Sequence, residues 1–181
     1  VSIGLQYCST QPDAEEKAKR DAYMIEGADV ISIAQGVLGS QLSKQLRDSG
    51  AIHALNYCNI NALSLTDSAA RISGKRVYRR TLKPRNLENM AKGMEKNALK
   101  VFDYALEHGE DMHPLLQRNE LDSSIYYYSP IIIQSMCLNC HGTRNNGLAL
   151  ETFEEIVKLY PKDKAFNYKV GEIRGMWVVE L

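Results

Sequence analysis

Ile125-Tyr126-Tyr127-Tyr128-Ser129-Pro130-Ile131-Ile132-Ile133 is the run that decides the fold. β-Branched and aromatic residues at this density pack on a pleated, half-buried surface, so the segment is a strand. Pro130 has no N–H to give to a ladder, which places an edge or a bulge at that point. Two further strands belong with it. Over Gly171–Leu181, Ile173, Gly175, Trp177 and Val179 alternate with Arg174, Met176, Val178 and Glu180. Over Lys75–Lys83, Val77, Arg79 and Thr81 face one way, and Arg76, Tyr78, Arg80 and Leu82 the other.

The segments around these strands are helical. Asp13 caps a first helix with Glu16 as its reciprocal partner. Its stripe is Ala14, Ala18, Ala22, Ile25, Asp29, Ile33, Val37 and Gln41, running to about Arg47. Ser49-Gly50 separates it from a second helix with Ala51, Leu55, Cys58, Ala62, Leu65 and Ala69 on one face, closed by Gly74. A third helix is expected from Leu87 to His108, stopped by Gly109, with Met90 or Ala91, Met94, Ala98, Val101 or Phe102, and Ala105 turned inward. A short one spans Leu150–Leu159 before Pro161. The order predicts an α+β domain, with residues 1–48 as a helical extension and 49–181 as the core. Its three clear strands need a further antiparallel partner from the loops.

The 181 residues suffice for one domain with a real core. Lysine plus arginine balances aspartate plus glutamate at 22 each, so no net charge draws the chain to nucleic acid. No apolar run is long enough to span a bilayer. Leu5-Gln6-Tyr7-Cys8 is only a weak lipoprotein cleavage site, Tyr7 being large where a small residue is wanted, which leaves a membrane anchor upstream or at Cys8 as an option. A helix as long as the first leans on a partner helix or on a second copy of the chain, a homodimer being one way to supply it.

Immediately after the first strand comes Met136-Cys137-Leu138-Asn139-Cys140-His141-Gly142. This is the C-x-x-C-H pattern of covalent haem c attachment. Two thiols three residues apart in a helical turn can each add to one haem vinyl group, and the next residue then holds its imidazole under the iron. A thioredoxin-like dithiol would need a long helix after the pair, and Gly142–Gly147 dissolves one. Half of a zinc site would need Cys58 or His53 to complete a tetrahedron, with no second close-spaced pair to help. Haem is the reading that remains strongest. The other axial ligand is open among Cys58, His53, His108, His113 and six methionines, with composition alone favouring histidine or methionine.

A resemblance narrows this. Gly74–Asn89, containing Arg79, Thr81, Arg85, Asn86 and Asn89, resembles the central R-x-(S/T)-x-x-x-R-N-x-x-N segment of the Tll0287-like (DUF3365) haem-binding family. The tyrosine strand running into the cysteine cluster is similar to that family's attachment region, and Tyr160–Gly175 to its closing signature. Leu87 departs from the family's usual proline. The resemblance covers about residues 50–181 and implies a PAS-like antiparallel sheet wrapped by helices. It implies covalent haem c on Cys137 and Cys140, with His141 on one side of the iron. Ala51–Cys58 resembles the upstream helix whose cysteine is the opposite ligand, which puts Cys58 there.

Arg79, Arg80 and Arg85 crowd one strand and the turn after it, and an arginine fork suits a haem propionate. Tyr127, with its neighbours, packs on the ring or fills the core. The expected function is one-electron transfer or redox sensing outside the cytoplasm, in the periplasm or an equivalent space, with a redox or signalling partner protein. A six-coordinate iron leaves no position for a substrate, so no enzyme is expected. A sensor of carbon monoxide or nitric oxide is one rival, and a zinc-stabilised or structural interaction domain the other.

Overall fold

The computed structural model describes residues 14–181, apart from the side chain of Leu63. Cys8 and the expected cap at Asp13 lie outside the described residues. The chain opens with α1 (Ala14–Ser73), which is interrupted at Gly50, where φ is 79° and ψ is −179°. A positive φ of this kind is readily adopted only by glycine, so the Ser49-Gly50 boundary read from sequence is a corner between two helical arms. After Gly74 the order is β1 (Arg76–Arg80), α2 (Gly93–His108), β2 (Leu115–Arg118) and β3 (Ile125–Ile132). One helical turn, α3 (Leu138–His141), is followed by the two-residue strands β4 (Thr143–Arg144) and β5 (Gly147–Leu148). Then come α4 (Leu150–Leu159) and β6 (Ile173–Glu180).

Four strands form an antiparallel sheet in the order β1-β6-β3-β2, which makes the fold α+β with a long N-terminal helix. The missing partner strand is β2, an edge strand that pairs only with residues 125–128. Pro130 lies beyond that pairing, so its absent N–H falls where β3 has no neighbour on the β2 side. A register shift follows at Ile131/Ile132: Ile131 pairs with Gly175 and Ile132 with Ile173. Arg174 is therefore unpaired, and strict alternation is broken. Ile173 and Met176 both pack on the α2 side, while Arg174 turns towards α3.

Helices cover both faces of the sheet. On one, Val77, Tyr127, Trp177 and Val179 pack against Val30, Ile31, Ala34 and Ala69 of α1. On the other, Tyr128, Met176 and Val178 meet Ala91 and, from α2, Ala98, Leu99 and Phe102. The first arm of α1, read from sequence as an extension, thus contributes to the principal core.

Two expectations are corrected. Ala14, Ala18, Ala22, Ile25 and Asp29 are exposed, Ile25 to 64%, and the buried line is Gly27, Val30, Ile31 and Ala34. The face is chosen by fit to the sheet: Gly27 lets the helix backbone press against the Tyr127 ring, where a Cβ would stand 2.3 Å from Tyr127 Cγ. The helix expected from Leu87 begins at Gly93. Thr81 donates to the Asn89 carbonyl (2.9 Å) and accepts from Ala91 N–H (3.0 Å), which holds residues 89–91 alongside the end of β1. Leu87–Asn89 forms one 3-10 turn instead.

The Gly27–Tyr127 contact sets a test. Alanine in a helix interior is favoured over glycine by about 1 kcal/mol, whereas overpacking a core costs about 1–3 kcal/mol. Because the obstructing atoms are the root of a buried ring, overpacking wins. Gly27→Ala lowers the urea midpoint of unfolding, and Gly36→Ala, which meets nothing within 4 Å, does not.

Candidate functional site

The C-x-x-C-H turn hangs from the end of β3. Ile133 N–H donates to Glu172 O and Gly171 N–H to Ile133 O, both at 2.9 Å, which pins the segment before β6 to the segment after β3. Ser135–Cys137 then makes a 3-10 turn and α3 a single α turn, ended at Gly142. A Cβ on Gly142 would lie 2.7 Å from Leu138 O, so the close approach demands glycine. Across the turn, Asn167 N–H donates to Gly142 O (3.1 Å) and Tyr168 N–H to His141 O (3.0 Å). The loop between α4 and β6 therefore lies over the motif.

His141 is held from two sides. Its Nδ1 is 2.9 Å from the Ala165 carbonyl. A carbonyl only accepts, so Nδ1 carries the proton and Nε2 keeps its lone pair. Arg174 Nε points at that lone pair from 3.4 Å, which requires the same tautomer. Burial, then Arg174 and Arg85, hold the imidazole's pKa well below its ordinary range, so the ring is neutral. A neutral imidazole donating through one nitrogen to a backbone carbonyl is the arrangement of a histidine that ligates metal through the other. The Tyr168 ring stands edge-on to it, centroids 6.1 Å apart.

The two motif thiols enter different clusters. Cys137 packs beside Ile133, Ala165 and Tyr168, and Cys140 beside Leu55, Leu148 and Ile156. Cys58, half-buried on the second arm of α1, is close enough to Cys140 for its charge to push the Cys140 thiol up. Burial pushes the Cys58 thiol up and Arg79 draws it down. Cys58 and the motif thus meet although 79 residues separate Cys58 from Cys137. His53 is exposed on the same arm, His113 is exposed, and His108 stacks on Tyr104 at the end of α2, so none of them is brought to the motif. Among the described residues, no three His, Cys, Asp or Glu side chains gather as a metal-ion cage.

The arginines separate. Arg79 reaches Cys58 and Tyr160 from the α1 face of the sheet, its guanidinium 5.6 Å from the Trp177 ring centroid. It has no carboxylate partner among the described residues. Arg80 lies on the opposite face, where Nε spans both oxygens of Glu95 at 2.9 and 3.0 Å; strand alternation carries it away from His141. Arg85 is at the site, with its donors in use: Nε meets Asp163 Oδ2 at 2.8 Å and Nη2 meets Cys140 O at 2.6 Å. Tyr127 is 3% exposed and belongs to the core against α1, packed on Gly27 rather than on the motif.

Sequence reasoning assigned no role to Arg174, Asp163 or Tyr168. All three lie in or beside Tyr160–Gly175, the segment noted as a family signature, but a signature does not say which side chains turn inward. Alternation put Arg174 beside Met176, and the bulge overrides that.

Around His141, Arg79, Arg85 and Arg174 face one engaged carboxylate, Asp163. Unbalanced buried guanidiniums call for anionic groups, because burying a cation without a partner is costly. The residues present therefore fit the haem expected from the motif: a neutral imidazole with a free lone pair, thiols at the attachment spacing, and cationic donors for two carboxylates.

An α+β sheet carrying a C-x-x-C-H turn under its closing loop defines the class of this protein. A family model described as Tll0287-like matches residues 9–181, and the chain belongs to that family. Among solved structures it is similar to the crystal structure of the cyanobacterial haem protein Tll0287, at 23% identity and a TM-score of 0.63, over 94% of this chain and 96% of that one. No curated protein matches the sequence.

Asp163, its side chain 1% exposed, ties the loop to the turn: it pairs with Arg85 and accepts from Ala165 N–H at 2.7 Å. Asp163→Ala leaves Arg85 buried without its counter-ion, a loss of about 3 kcal/mol. A fall in the thermal midpoint is expected, and the equally charged but exposed Glu15→Ala serves as the unchanged control in the same calorimetric scan.

Proposed function

We propose that this chain is a one-haem c-type protein that passes or senses single electrons outside the cytoplasm. The observation that carries the reading is His141, held neutral with Nδ1 committed to Ala165 O, in the residue after Cys140. The family match, and the haem named for the cyanobacterial relative, support the same cofactor. Bound haem supplies one-electron iron chemistry. The chain's own part is to hold and shield it: Cys137 and Cys140 offer thiols for the two vinyl groups, and His141 Nε2 offers the proximal lone pair. Arg79, lacking a carboxylate of its own among the described residues, would pair with a propionate, and Arg85 braces the turn. Cys58 and His141 would both ligate the iron and would leave no position for a substrate, which argues for a carrier or sensor rather than an enzyme.

Haem attachment in bacteria follows export. Protein made behind an export signal therefore keeps its haem through acid-acetone denaturation, whereas protein made in the cytosol does not acquire it covalently. Haem passing into the organic phase from the exported protein would overturn covalent attachment.

Cys58 is tested separately. A thiolate stabilises ferric iron and lowers the potential. Cys58→Ser is expected to abolish the low-spin thiolate signature in electron paramagnetic resonance of the ferric protein and to raise the potential. An unchanged signal would move the ligand elsewhere. Uptake of carbon monoxide or nitric oxide by the reduced, unsubstituted protein would turn the reading to a diatomic-gas sensor.

A further inference from the structure

Arg174 is anchored independently of His141. Its Nη1 donates to Thr81 Oγ1 at 3.1 Å and to Lys83 O at 3.2 Å, and Thr81 Oγ1 in turn donates to the Arg174 carbonyl at 2.8 Å. These contacts fix the guanidinium at the end of β1, where the bulge has delivered it. The Tyr168 hydroxyl also hydrogen-bonds Arg174, and Nε–H is aimed at His141 Nε2. That lone pair is the one a metal would take. An iron bound there would take the space in front of Nε2, so Nε–H must turn aside and loses this acceptor.

A buried charged donor without an acceptor is costly, so Nε–H must find another. Asp163, the carboxylate whose charge reaches Arg174, has one oxygen on Arg85 and the other on Ala165 N–H. Haem brings two carboxylates of its own. We propose that Arg174 is a positioning residue with two partners: it holds His141 Nε2 while the site is empty, and passes to a haem propionate when His141 binds iron. This rests on the haem reading above. It assigns the carboxylate contact on the His141 side to a residue outside the Arg79–Arg85 segment. It also gives Arg174 a function before loading, since its hydrogen bond and that of Ala165 select one and the same ligand-ready tautomer.

The test has two arms. In the haem-free full chain, nitrogen-15 magnetic resonance of the His141 ring should show Nδ1 protonated, and Arg174→Gln should shift Nε2 while leaving Nδ1 unchanged. An Nε2 resonance indifferent to R174Q would overturn the empty-state role. For the loaded state, Cys137 and Cys140 are both replaced by alanine so that the porphyrin binds reversibly, and the chain is titrated with haemin and with haemin dimethyl ester, which lacks free carboxylates. The Arg174-containing chain should prefer haemin by about tenfold or more, the size of a charge-assisted hydrogen bond. R174Q should lose most of that preference, and R174K, which keeps the charge but not the fork, should regain part of it. An equal preference in R174Q would overturn the proposal and leave the haem reading standing. Failure of the Arg174-containing chain to bind either porphyrin would overturn the haem reading and the loaded-state role together.

Discussion

The pair of hydrogen bonds between Ile133 and Gly171-Glu172 is the constraint on which the site depends. It joins the outgoing end of β3 to the incoming end of β6, so the eight-residue segment after β3 and the loop before β6 must run side by side. Everything placed around His141 follows. Ala165 offers its carbonyl, Tyr168 covers the ring edge, and Asp163 meets Arg85 because the loop has no freedom to lie elsewhere. The bulge next to this closure then releases Arg174 from the sheet's alternation. One irregularity in a ladder supplies the cation that faces the motif histidine.

The electrostatics are as specific as the packing. Lysine, arginine, aspartate and glutamate balance over the whole chain, yet around His141 cations outnumber acids. Neutrality of the total therefore hides a local surplus, set beside three arginines that are matched. Arg80 has Glu95, Arg76 has Glu180 and Arg85 has Asp163. Arg79 and Arg174 have desolvated guanidiniums without such a match, and a buried positive charge lowers the free energy of any carboxylate brought beside it.

Much of this was readable before the structure. The strands at 75–83, 125–133 and 171–181, the short helix before Pro161 and the corner at Gly50 all follow from local chemistry: pleated alternation, a ring-closed φ and a residue without a Cβ. The cysteine motif was legible because its chemistry fixes its spacing. What sequence concealed is non-local. The small-residue stripe of α1 has good helical period but faces out, because period alone does not say which face meets a sheet. Alternation sets Arg79 and Arg80 on opposite faces, but only the sheet's sidedness says which face meets the motif. Only the path of the 160–172 loop brings Tyr168 there, while Tyr127 packs on α1. Val101 and Phe102 are adjacent on α2, and only the packing on Tyr128 and Met176 decides for Phe102.

The strand order has a temporal side. β6 follows β1, β3 and the cysteine turn in sequence, yet it is an interior strand, inserted between β1 and β3. A nascent chain that has not yet delivered residues 173–180 has no strand to connect β1 with β3, and no anchor for the loop that covers the motif. Ordering by such distant pairing is intrinsically slow. The cysteine turn is thus covered only after β6 has paired, and until then its thiols are open to other molecules.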